Sequence, residues 1–194
     1  RKDVWTMWFK VIVACIPAVI VGLKWDDAIE EHFYNYKVVS IMLILIGILF
    51  ILAENRNKQL KPTTSSLDEL TYKQAFIIGL FQLIAAVFPG TSRSGSTILG
   101  ALIIGVNRKT AAQFTFFMAI PVMFGASLLK LLKYGFNFSG NELAILAIGM
   151  IVAFIVSMFI IKLLMSYIKK HDFKVFGYYR IILGAIVLLY FFFN

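Results

Sequence analysis

The sequence predicts an all-α polytopic membrane protein, with about five transmembrane helices and one re-entrant helical hairpin in a single integral membrane domain over residues 1–194. Three observations lead there. Of the 194 residues, 60% are hydrophobic and only 15% charged, and the mean hydropathy is +0.85, beyond the range of soluble domains. The apolar residues gather into runs approaching the ~20 residues that cross a bilayer core, separated by short polar loops. One run is interrupted by Phe88-Pro89-Gly90-Thr91-Ser92-Arg93-Ser94-Gly95-Ser96-Thr97-Ile98, which sets an arginine among hydroxyls and glycines with apolar sequence on both sides. A charge at membrane depth is costly, so an ionisable residue there points to function.

The formal charge of +9 would suit nucleic acid, but the basic residues are scattered among short loops. They read as topology signals at helix ends, and no nucleic-acid partner is expected. The length leaves no room for a sizeable soluble domain. Cys15 is the single cysteine, which excludes a disulfide framework within the chain and leaves it as a buried small apolar residue. The chain opens with Arg1-Lys2-Asp3 rather than methionine, and is expected to begin inside a longer protein.

Residues 6–53 hold two spans. The first covers 7–23, with Trp5 and Trp8 as an interfacial belt and Pro17 as a kink. Residues 24–37 are expected to form a solvated loop: Asp26, Asp27, Glu30 and Glu31 follow no standard metal-ligand spacing, and His32 has no second histidine beside it. The second span covers 38–53, with Gly47 its only interruption. The loop 54–73 is polar and basic, and Ser66-Leu67-Asp68-Glu69 has the form of a capping box opening the next helix.

Residues 72–88 form a helix that stops at Pro89-Gly90, and a shorter apolar run follows over 92–105. Neither half reaches a crossing length alone. Three further spans lie within 111–194, over 112–132, 143–164 and 177–193. Loop charges decide how 72–105 is threaded. If it crosses once, the basic loop with Lys162, Lys169, Lys170 and Lys174 falls opposite the basic loop 54–73. If it turns back, both loops and Arg108-Lys109 share one side and the acidic stretch 24–37 takes the other. The positive-inside rule favours the hairpin, with Asn194 ending outside. Lys130 and Lys133 snorkel at an outer helix end, and Arg180 reads as an interfacial anchor near the start of the last span.

Pro89-Gly90 breaks the first half of the hairpin, and Thr91 or Ser92 is suited to cap the second. That half-helix begins near the bilayer midplane with free N–H groups and a positive dipole end, which together make an anion site. Arg93 sits in its first turn, and a guanidinium fork matches phosphate or carboxylate oxygens. Thr91, Ser92, Ser94, Ser96 and Thr97 add donors, while Gly90 and Gly95 allow close approach. A cation at a positive helix end is locally unfavourable, and an anion partner resolves the conflict. Tight helix packing through Gly90, Ser94, Gly95, Gly100 and Gly105 is the competing explanation for the small residues, but packing needs no arginine. Gln82 and Gln113 are polar residues in apolar helices, either supporting the site or pairing helices.

The segment Pro89 to Ile98 resembles the PGxSRSGxTI motif of bacterial undecaprenyl-diphosphate phosphatases, the bacitracin-resistance family. Leu70-Thr71-Tyr72-Lys73-Gln74-Ala75 with Gln82, Ala111-Ala112-Gln113-Phe114-Thr115-Phe116 with Pro121, and Phe176-Gly177-Tyr178-Tyr179-Arg180 resemble the family as well. The resemblance implies an enzyme of the bacterial cytoplasmic membrane that hydrolyses undecaprenyl diphosphate to the monophosphate carrier used in peptidoglycan synthesis. It implies the C-terminal part of an inverted-repeat fold, with Arg93 and Ser92 catalytic and Gly90, Thr91, Ser92, Arg93, Ser94 and Thr97 around the diphosphate. It further implies a divalent cation, Mg²⁺ or Ca²⁺. The family's first hairpin, with its glutamate-rich motif, serine-containing turn and histidine, has no counterpart here, so the cation's ligands and the nucleophile are expected in a missing N-terminal region. The chain alone is expected to be inactive. A polyprenyl diphosphate and the bilayer are the implied partners, with a homodimer as an option. A transporter or flippase of an anionic lipid or solute is the alternative, since half-helix anion sites and inverted repeats also serve transport.

Overall fold

The computed structural model describes residues 2–135 and 137–193. Among them lie seven helices: α1 (Lys2–Phe33), α2 (Tyr36–Asn57), α3 (Tyr72–Val87), α4 (Arg93–Ile103), α5 (Arg108–Tyr134), α6 (Gly140–Tyr167) and α7 (Lys174–Phe193). Helices dominate because backbone groups in an apolar medium must be satisfied within their own segment. α1, α2, α5, α6 and α7 are long and apolar enough to cross a membrane, so the all-α polytopic class holds. α3 and α4, at 16 and 11 residues, are shorter.

The acidic stretch expected as a loop is helical instead. α1 continues to Phe33 past a break at Trp25, whose φ of −129° and ψ of 15° are not helical. Asp26, Asp27, Glu30 and Glu31 are exposed, and with neither Gly nor Pro among residues 23–33 nothing ends the helix there. Asn35 makes the turn by capping α2, its Oδ1 accepting from Val38 N at 3.0 Å. The expected capping box at Ser66 is also displaced. Glu69 N donates to Ser66 Oγ at 3.3 Å, but this closes a turn and no helix follows. The helix opens one box later, where Gln74 N donates to Thr71 Oγ1 at 3.1 Å and Thr71 N to Gln74 Oε1 at 3.0 Å. Both tetrads have the same form, and the one that runs directly into the apolar residues of α3 starts the helix.

α3 and α4 form a hairpin whose two feet are tied together. Thr63 N donates to Gly105 O and Asn107 N to Thr64 O, both at 2.9 Å, and Asn107 Nδ2 donates to Ser65 O at 3.0 Å. Lys10 of α1, buried, adds Nζ to Asp68 O at 3.2 Å. The hairpin is filled from within by the Phe81 ring against Gly100 and by Ser96 Oγ donating to Phe81 O. Eleven residues of α4 rise about 16 Å, roughly half of a ~30 Å hydrocarbon core. α1 lies along α3 on the stripe Val11, Ala14 and Cys15, with the Ala14 backbone against Gly79.

α2 and α7 pack antiparallel at backbone contact. A Cβ on Gly47 would stand 2.7 Å from Gly177 O, and one on Gly184 would stand 2.8 Å from Ser40 O. Arg180 sits on α7 between these two contacts, so the glycine pairs set its position along the hairpin. Gly47→Leu is expected to cost about 1–3 kcal/mol or more by overpacking, read as a lowered thermal unfolding midpoint in detergent. α6 has no buried residue.

Candidate anion-binding site

The hairpin turns at Pro89-Gly90, and the turn is held in a conformation that few residues accept. Gly90 has φ +86°, and a Cβ there would lie 2.8 Å from Val39 Cα on α2. Ser92 has φ 63° and ψ 122°, an arrangement costing of order 1–3 kcal/mol for a residue with a side chain. Three sets of bonds hold it. Ser92 Oγ caps α4, accepting from Gly95 N at 3.3 Å, and Ser92 O accepts from Ser96 N at 2.9 Å. Arg180 Nη2 donates to Gly90 O at 2.6 Å and to Thr91 O at 2.7 Å. Arg180 is therefore not the interfacial anchor expected of it. It reaches from α7 to grip the tip of the hairpin, a connection across some ninety positions that no local pattern announces.

Behind this grip, α4 presents an unfilled N-terminus. The amides of Arg93 and Ser94 have no hydrogen-bond partner among the described residues. The Arg93 side chain, half-buried in the first turn, makes no hydrogen bond or ion pair among them either. Ser92 and Ser94 are exposed beside it. Thr91 is buried with no partner for its Oγ1, and Gln82 on α3 is buried with its side-chain amide beside the Cys15 thiol of α1. A buried polar atom without a partner costs about 1–3 kcal/mol, and Thr91 Oγ1 and Arg180 Nε, two such atoms at a strained turn, mark a place kept for function rather than stability. Gly90, Thr91, Ser92, Arg93 and Ser94 are thus placed around one helix end, and among the described residues Gln82 is connected to it only through Cys15, which lies within electrostatic reach of Arg93.

Two of the named candidates are turned elsewhere. Thr97 is 1% exposed, and its Oγ1 lies 3.0 Å from Arg93 O, 3.2 Å from Ser94 O and 3.0 Å from Thr115 Oγ1. Its hydroxyl is spent on fastening α4 to α5, so it offers nothing to a ligand. Gln113 is half-buried on α5 two positions before Thr115, about 200° around the helix from the face that meets α4. Among the described residues no histidine, lysine or carboxylate is bonded to Ser92 Oγ, which is free to donate to an oxyanion.

These residues do not fit a divalent cation. The site combines two guanidinium groups with a positive helix end, and no group of three or more His, Cys, Asp or Glu suited to a metal occurs among the described residues. What the site fits is the opposite charge. An unpaired arginine, free amides and exposed hydroxyls at a half-helix terminus on a helical membrane scaffold define a membrane protein with a site suited to an anionic group.

The chain belongs to the family described as bacitracin resistance protein BacA, whose profile matches residues 1–186. It is 65% identical over 191 residues to a protein of Desulfitobacterium hafniense named undecaprenyl-diphosphatase, covering 98% of this chain and 69% of that one. Undecaprenyl-diphosphatase 1 of Clostridium acetobutylicum is 64% identical over 191 residues, with 98% and 70% covered. An undecaprenyl-diphosphatase of Enterococcus faecalis is 59% identical over 189 residues, with 97% and 68% covered.

Proposed function

We propose that the protein hydrolyses undecaprenyl diphosphate to undecaprenyl phosphate and inorganic phosphate in the bacterial cytoplasmic membrane. The observation that carries this reading is the unpaired Arg93 guanidinium at the open N-terminus of α4. The names of the relatives supply the substrate. The prenyl chain stays in lipid, and the diphosphate enters at the hairpin tip. The Arg93 fork and the amides of Arg93 and Ser94 bind its oxygens, with the Ser92 and Ser94 hydroxyls as further donors. Arg180 holds the tip so that these donors converge.

The bond broken is the phosphoanhydride P–O bond to the terminal phosphorus, and an oxygen derived from water replaces it. The leaving group is the prenyl monophosphate. Such transfers gain mainly from positioning and charge stabilisation, which an arginine and helix-end amides supply. No nucleophile or general base is assigned to the residues of this site. The resemblance also implies Mg²⁺ or Ca²⁺. The site's own residues do not fit a cation, and metal dependence of the full-length protein is tested by EDTA and re-addition. A homodimer is included in the reading as an option, tested by the mass of the detergent-solubilised full-length protein.

The test is phosphate release from undecaprenyl diphosphate by the full-length protein and its Arg93→Ala variant. Loss of release in the variant supports hydrolysis. Intact release with loss of lipid transfer between vesicle leaflets would instead favour a transporter. Arg180 has its own signature as a positioning residue. Arg180→Ala is expected to lower kcat/KM about a hundredfold, the scale of an ångström of misplacement. Arg180→Lys keeps a donor for Gly90 O and Thr91 O and should retain part of the kcat that Arg180→Ala loses. A merely structural Arg180 would show no such rescue of kcat.

A further inference from the structure

We propose that the protein carries a second anion site at the feet of the hairpin, a cavity that binds the phosphate headgroup of an anionic phospholipid. The cavity, of about 1110 Å³ and open on one side, is bordered by the end of α2, the bonded segments at the hairpin feet, and the turn between α6 and α7. Ligand pockets commonly run to about 300–1,000 Å³, so it is large enough for a headgroup and the start of its acyl chains. Arg56, Lys61, Lys109, Lys169 and Lys170 line it, and none has an acidic ion-pair partner among the described residues. The one carboxylate in the wall, Asp172, is already held by Lys58 at 3.6 Å. Arg108 is likewise engaged, its Nη2 at 2.6 Å from the buried Glu54.

Basic loops on one face follow from membrane topology alone. Topology does not require the cations to converge on one concavity from α2, the hairpin foot, the start of α5 and the α6–α7 turn. All five are solvent-exposed, so water and salt screen their repulsion, and an anion in the shared concavity would relieve what remains. Phosphate oxygens accept charge-assisted hydrogen bonds from lysine and arginine, and a polybasic surface draws anionic lipid to the membrane face. Leu60, Ile103 and Val175 add apolar wall to the same cavity. That wall favours a phospholipid over a free phosphate ion as the source of the phosphate. The site is separate from the Arg93 tip and does not depend on the proposed hydrolysis.

The test uses full-length protein in nanodiscs of phosphatidylcholine with a minor share of phosphatidylglycerol. Spin-labelled forms of the two lipids report which is held at the protein surface. The wild type is expected to prefer phosphatidylglycerol. Each basic residue near the lipid surface is worth about fivefold, so Lys109→Gln/Lys169→Gln/Lys170→Gln together should reduce the preference by about a hundredfold. Lys24→Gln/Lys37→Gln/Lys130→Gln, at the other ends of the helices, should leave it in place. Equal loss in both triple variants, or no preference in the wild type, overturns the proposal. Should the first variant not fold, salt decides on the wild type: raised NaCl abolishes a headgroup preference of this kind, and a preference indifferent to salt overturns it. Inorganic phosphate is the remaining arm. If it displaces the labelled phosphatidylglycerol as completely as unlabelled lipid does, the site holds free phosphate and the lipid assignment falls.

Discussion

Arg93→Ala in the full-length protein is expected to lower kcat/KM for undecaprenyl diphosphate by about a hundred- to a thousandfold, the scale of removing one pre-placed donor from a developing negative charge. Arg93→Lys should fall between, because an ammonium keeps the charge and loses the two-pronged geometry. The second half of the prediction separates a binding role from a structural one. Arg93 makes no hydrogen bond or ion pair among the described residues and stands at the positive end of α4. Removing it therefore relieves an unfavourable placement, and the thermal midpoint of the variant should equal or exceed that of the wild type. Phosphate or diphosphate added to the wild type should raise its midpoint, since a ligand bound to the native state stabilises by mass action. The same additions should leave Arg93→Ala unmoved. A variant that loses activity only in proportion to lost folded protein would refute the assignment.

The largest stability effect is expected at the other end of the hairpin. Glu54 is wholly buried at the end of α2, where it accepts from Arg108 Nε at 3.0 Å and Nη2 at 2.6 Å and from Phe173 N at 3.0 Å. One carboxylate thus ties together α2, the start of α5 and the segment that leads into α7. Arg108→Ala leaves that carboxylate buried with its charge unmatched, a change of about 3–5 kcal/mol in buried pairs. The Arg108 side chain is 35% exposed, which screens the pair and places the expected cost near the lower bound. A loss of that size corresponds to a drop in midpoint of about 6–12 °C by the scaling for chains of this length. Glu54→Gln should be milder, because the amide oxygen still accepts from Phe173 N and no charge is left inside. The order Arg108→Ala below Glu54→Gln below wild type, read by thermal unfolding in detergent, checks the argument, and the reverse order contradicts it. Activity should follow stability at this position, since α7 carries the Arg180 that grips the hairpin tip.

The site is built from interactions of two ranges, and they were not equally visible in the sequence. The Pro89-Gly90 break, the Ser92 cap and the placement of Arg93 in the first turn of α4 are local. Each depends on a ring that fixes φ, a missing Cβ, or a hydroxyl three residues from an amide. Arg180 is different. A Tyr-Tyr-Arg at the start of a span is what an interfacial anchor looks like, and only the Gly47–Gly177 and Gly184–Ser40 contacts bring α7 close enough for its guanidinium to reach Gly90 O and Thr91 O. Thr97 shows the converse. It lies in the motif with the other hydroxyls, yet the turn of the helix points it at Thr115.

What the sequence alone determined was the membrane class, most of the helical elements and the break at Pro89-Gly90, with the cap narrowed to Thr91 or Ser92, because hydropathy over a span and chemistry over a few residues are properties of the local chain. The tertiary structure decided which polar groups share the hairpin tip, which are used up inside the bundle, and how the feet close on Thr63, Thr64 and Asn107. Those outcomes depend on helix rotation and on backbone-to-backbone approach between distant segments. A helix turns about 100° per residue, so a polar side chain one or two positions away in sequence meets either the site or its packing, and only the packed bundle settles which.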